Sequence, residues 1–86
     1  MLPDKQKEAF SQFYKSAREN DTLSPQTTLM IHLASSMALG WIPWMKHYLG
    51  VARDEGISDT EIGTVQSIVM AVAAGEVSME FKEACK

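Results

Sequence analysis

The stretch Ser24-Pro25-Gln26-Thr27-Thr28-Leu29-Met30-Ile31-His32-Leu33-Ala34-Ser35-Ser36-Met37-Ala38-Leu39-Gly40 decides how this chain folds. Ser24 followed by Pro25 reads as a helix N-cap with proline at the first helical position, where its missing N–H is not needed. Leu29, Met30, Ile31, Leu33, Ala34, Met37, Ala38 and Leu39 then occupy nearly the whole circumference of the helix, the pattern of an element surrounded by other protein. Gly40 ends it. This is expected to be the central helix, and the other elements are read outward from it.

Downstream, Pro43 starts a third helix that runs through Met45, Tyr48, Leu49 and Ala52 to Gly56. Ser58-Asp59-Thr60-Glu61 is a capping box, in which the serine oxygen accepts from the Glu61 N–H and the glutamate reaches back to the Ser58 N–H. A fourth helix begins there and carries Ile62, Val65, Ile68, Val69, Val72 and Ala73 up to Gly75, and a short fifth with Val77, Phe81 and Ala84 follows. Their β-branched residues would also suit strands, but spacing of three and four decides for helix. Upstream, Phe10, Phe13, Tyr14 and Ala17 form one apolar stripe on a first helix from about Asp4 to Glu19. The expectation is therefore an all-α fold, a compact bundle of about five helices in one domain over residues 1–86, with the second and fourth helices buried.

A chain of 86 residues, 45% hydrophobic, has room for one core. A domain this size buries only roughly 60–65% of what its unfolded form exposes, so association with copies of itself is a natural remedy. The net charge of −3 with interspersed signs gives no basic stripe for a phosphate backbone, which argues against nucleic acid. No apolar run approaches the roughly 20 residues that span a bilayer, and Met1 to Lys7 leads into charge, so a cytoplasmic protein without membrane contact is expected. The single Cys85 supplies neither an internal disulfide nor a metal cage.

Leu23-Ser24-Pro25, the apolar helix, Gly40, a histidine-bearing helix and Glu55-Gly56-Ile57-Ser58-Asp59-Thr60-Glu61-Ile62 together resemble the carboxymuconolactone decarboxylase and alkylhydroperoxidase D-like family. The resemblance covers roughly Leu23 to Gly75. It implies a helical subunit that assembles into dimers and from these into rings, often hexamers. Members with peroxidase activity are similar in having a glutamate early in the central helix, a CxxC at the start of the next and a histidine four residues later. That spacing brings two sulfurs to the positive end of a helix and lowers one thiol's pKa. Anchored on Gly40, the cysteine positions fall on Trp41 and Trp44, the histidine position on Tyr48 and the glutamate position on Leu29. An indole forms no thiolate, so this relay is missing as a whole. His47 lies one residue before the motif histidine, which turns it about 100° around the helix.

Trp41 and Trp44 either fill the volume of an active-site cavity or line, with Leu29 and His32, a pocket for a small aromatic or apolar ligand. His47 and Tyr48 are the candidate catalytic pair, His47 for proton transfer and Tyr48 as a hydrogen-bond donor where the family's histidine stands. His32 interrupts an otherwise apolar helix, and Ser35 and Ser36 are local hydrogen-bond candidates for it. No metal site is read from His32 and His47, which lack further ligands, and no cofactor is implied. The six methionines suit adaptable packing. Three functions follow: a small-molecule-binding or structural oligomer, a lactone decarboxylase-type enzyme using His47 or His32 with Tyr48, and a peroxidase depending on Cys85.

Overall fold

The computed structural model describes all 86 residues and is helical throughout, with no strand. Its elements are α1 (Asp4–Arg18), α2 (Pro25–Leu39), α3 (Ile42–Asp54) and α4 (Asp59–Ala84).

Local chemistry sets the boundaries. Ser24 Oγ accepts from the Thr27 N–H at 3.1 Å, and Pro25 opens α2. Gly40, at φ 71°, ends α2 with its N–H on the Met37 carbonyl, while the Trp41 N–H returns to the Ser36 carbonyl. Gly56, at φ 80°, closes α3 the same way, with Gly56 bonded to Arg53 and Ile57 to Ala52. Both are Schellman turns, in which a left-handed glycine satisfies the last carbonyls and the next residue folds back on the helix. The second turn drives Ile57 into the core, where it is 5% exposed. The capping box at Ser58 is complete: Ser58 Oγ accepts from the Glu61 N–H, and Glu61 Oε1 accepts from the Ser58 N–H, both at 3.1 Å. These bonds hold the Glu61 carboxyl below the usual carboxylate range.

The core sits between α2, α3 and the entry to α4. It consists of Leu29 and Leu33 from α2, Tyr48 and Ala52 from α3, and Ile57. Ser36, also buried, donates to the Leu33 carbonyl at 2.7 Å. Met30, Met37, Trp44, Ile62 and Val65 pack around this centre.

Three sequence expectations are corrected. There are four helices rather than five, because the two segments read as separate form one 26-residue helix through Gly75. Glycine inside a helix costs about 1 kcal/mol and cannot end one by itself; Gly75 has alanines before it and no proline or cap beside it. The α2 helix is buried on one side only, since Ile31 is 50% and Leu39 82% exposed. Contrary to the reading of a buried fourth helix, no residue of α4 is buried within the chain, and every residue from Met70 to Lys86 is exposed.

The molecule is accordingly less compact than expected. Its radius of gyration is 16.2 Å, against about 12 Å for a globular chain of this length. Only seven of 86 residues are buried. By joining two apolar segments, α4 also acquires the length and hydropathy to cross a bilayer, with a window of mean hydropathy 1.4, where no run of that length was read in the sequence.

Candidate functional site

Tyr48 is the pivot of the site. The helix start after Gly40 places Trp41, Trp44 and Tyr48 along one side of α3, and Tyr48 points inward until it is 3% exposed. His32, half-buried on α2, stacks on it with ring centroids 4.7 Å apart and planes 8° apart. Trp44 leans on Tyr48 at 5.3 Å, Trp41 on Trp44 at 5.2 Å, and His47 meets Tyr48 edge-on at 4.9 Å. Offset and edge contacts of this kind contribute about 0.5–1.5 kcal/mol each beyond burial.

A second tyrosine completes the group. Tyr14 of α1 hydrogen-bonds hydroxyl to hydroxyl with Tyr48 and packs edge-on against Trp44 at 5.2 Å. Arg18, one turn further along α1, lies over the Tyr14 ring, 5.7 Å from its centroid. Neither residue stood out in the sequence: Tyr14 read as part of an apolar stripe, and Arg18 was not singled out. The base of α1 is fixed by Asn20, whose Oδ1 accepts from the Leu23 N–H at 2.8 Å while its amide donates to Thr28 Oγ1 at 3.1 Å. An asparagine that bonds its own backbone two or three residues on is a turn signal, but its reach to Thr28 depends on tertiary placement.

Two recesses flank the His32–Tyr48 stack. The more polar one, about 340 Å³, is bounded by Arg18, Leu29, His32, His47, Tyr48 and Glu55. The other, about 210 Å³, is bounded by His32, Ser35, Leu39, Trp41, Trp44 and Tyr48. Of the residues singled out in the sequence, Leu29, His32, His47 and Tyr48 thus meet at the first recess, and Trp41 and Trp44 meet His32 and Tyr48 at the second. Trp41 is 54% exposed and borders the second recess. His32 makes no hydrogen bond to Ser35 or Ser36; its ring is spent on stacking. No group of three or more His, Cys, Asp and Glu side chains converges anywhere on a metal-sized site.

Electrostatically the two sides of the stack diverge. Burial and the nearby Arg18 guanidinium hold His32 below the ordinary histidine value, which keeps the imidazole neutral. Burial, and then the hydrogen bond to Tyr14, push the Tyr48 hydroxyl well above the usual tyrosine value, which keeps it protonated. A neutral imidazole and a held phenol on one recess are a potential proton acceptor and a potential donor.

Among solved structures, the chain is similar to a protein from Methanobacterium thermoautotrophicum determined by structural genomics, with a TM-score of 0.89 at 21% identity over 99% of this chain and 97% of that one. At that identity the likeness speaks for the fold. No protein of curated function matches the chain. The carboxymuconolactone decarboxylase family model matches residues 5–86, nearly the whole sequence. With the helix order, the Gly40 hinge and the capped entry to α4 all in place, the chain belongs to the carboxymuconolactone decarboxylase family.

Proposed function

We propose that the recess between α2 and α3 binds a small molecule, and that the chain acts as a subunit of a homo-oligomer without the thiol relay of its peroxidase-type relatives. The observation that carries this is the convergence of Arg18, His32, His47 and Tyr48 on one recess of about 340 Å³, within the range of ligand pockets. Leu29 and Val51 offer an apolar wall for a flat body, and Arg18 and the histidines offer polar partners for an acidic or carbonyl group. The four positions that the resemblance assigns to the relay lie around the same stack, as Leu29, Trp41, Trp44 and Tyr48.

Trp44 fluorescence, titrated with a panel of aromatic carboxylates and their neutral esters, tests the reading. Saturable binding is expected, weakened about tenfold or more, or about 1.4 kcal/mol, by His32→Ala. Trp41→Ala, which alters only the second recess, should leave it intact. Absence of saturation across the panel contradicts the proposal.

A second reading, cofactor-free acid–base chemistry of the lactone decarboxylase type, is favoured by the neutral His32 and the protonated Tyr48 on one recess. It expects His47→Ala or His32→Ala to abolish turnover of a carboxylated lactone while the protein stays folded. Peroxidase chemistry would rest on Cys85, which is exposed at the end of α4 and lines neither recess. Dithiol-dependent peroxide consumption that is lost in Cys85→Ser is the result that would support it.

A further inference from the structure

We propose that the recess between α2 and α3 takes a zwitterion, a small molecule with a carboxylate at one end of a flat apolar body and an ammonium at the other, Arg18 holding the first and Glu55 the second. The inference rests on the small-molecule reading above and narrows it to one class of ligand.

Two opposite charges border this recess without neutralising each other. Arg18 closes α1, Glu55 follows the last residue of α3, and both line the recess. Arg18 pairs only with its chain neighbour Glu19, at 3.7 Å and with both side chains about half exposed. Such a contact carries little energy and leaves guanidinium N–H groups for another acceptor. Glu55 has no ion-pair partner in the chain. No other Lys, Arg, Asp or Glu lines the recess.

The two charges stand toward opposite ends. His47, Val51 and Glu55 recur every four residues and form one line along α3, about 12 Å from first to last by the rise of an α-helix. Arg18 belongs to the His47 end. It borders a neighbouring recess together with Tyr14, Pro43, Trp44 and His47, and burial and then the Arg18 charge hold His32, stacked on Tyr48, below its ordinary value. Leu29 and Val51 supply the apolar wall. Arginine and glutamate are both long enough to shorten the span to that of a ring with charged groups on opposite carbons.

This arrangement sorts ligands by charge. A simple anion seated on Arg18 is repelled by Glu55, a simple cation seated on Glu55 is repelled by Arg18, and a neutral ring leaves both charges unmatched. A ligand carrying both signs meets a counter-charge at each end, and the order of the signs also fixes its orientation.

Three compounds of one shape provide the test: 4-(aminomethyl)benzoate carries both groups, 4-methylbenzoate lacks the ammonium and 4-methylbenzylamine lacks the carboxylate. Isothermal titration calorimetry near pH 7 reads their affinities. The zwitterion should bind about fivefold tighter than either partner compound, the scale of one solvent-facing charge pair. Glu55→Gln should bring the two carboxylates to equal affinity, and Arg18→Gln should weaken both by the same factor, about fivefold. Equal affinity of the two carboxylates for the wild-type protein, a preference that survives Glu55→Gln, or silence of all three compounds overturns the zwitterion assignment. An Arg18→Gln variant that keeps both affinities overturns the role of Arg18. The wild-type comparison needs no variant, so it decides the matter even where far-ultraviolet circular dichroism shows that a substitution disturbs folding. When 4-methylbenzoate binds and the zwitterion binds no better, only this inference falls; when the whole panel of carboxylates and esters fails to saturate, the small-molecule reading falls with it.

Discussion

The centre of the molecule and its two arms are built from similarly apolar sequence and end in opposite environments. Leu29, Leu33, Tyr48, Ala52 and Ile57 are buried against one another, whereas Phe10 and Phe13 on one arm and Val77, Met79 and Phe81 on the other are mostly exposed. Apolar content alone does not separate them. What does is closure: the two glycine-terminated Schellman turns fold α2, α3 and α4 back on each other, and neither arm has such a turn to return it to the centre. The α1 arm carries its apolar residues on one face and the α4 arm carries them around most of its circumference, and neither is covered within the chain.

The contrast can be broken most severely at the centre. Leu33→Ala, at a residue 2% exposed, should cost about 2–5 kcal/mol, read as a shift in urea midpoint that is independent of protein concentration. On the arm, Phe81→Ala should cost about 1.5–3 kcal/mol, but only at concentrations where copies associate, because mass action couples assembly to stability. If Phe81→Ala were as damaging in dilute protein as in concentrated protein, the arm would belong to the core after all.

Between centre and arm stands Asn20. Asn20→Ala removes hydrogen bonds at the foot of α1 and should cost about 1–2 kcal/mol, with faster amide exchange confined to residues 4–18. The smallest effect expected is that of pH. The folded pKa of His32 is lowered, so the unfolded chain binds the proton first. The stability that neutral His32 contributes is fully present above about pH 6.5, the unfolded value, and is lost as pH falls through the folded pKa. His32→Gln should flatten that slope in urea titrations between about pH 7 and 5.

The parts of the fold written in local chemistry were legible from the residues: the Ser24-Pro25 start, the Gly40 stop and the Ser58 to Glu61 box each act within a few residues of chain. Gly75 misled because a lone glycine interrupts a helix only when a cap or proline joins it. The apolar residues of α4 told that the helix needs covering and were silent about by what. At the site, His32 and Tyr48 were visible as chemistry-bearing residues in an apolar setting. Arg18 and Asn20 were not, since both belong to a polar helix end whose role exists only once α1 lies against α2 and α3.

The most direct measurement of whether the arms are interface is amide hydrogen exchange on the assembled protein and on the same protein diluted until it dissociates. Residues 4–18 and 70–84 should be protected to a degree approaching Leu29–Leu33 in the assembly and should lose that protection on dilution, while the centre keeps its own. Fast exchange of both arms at every concentration, with the centre protected throughout, would contradict the account.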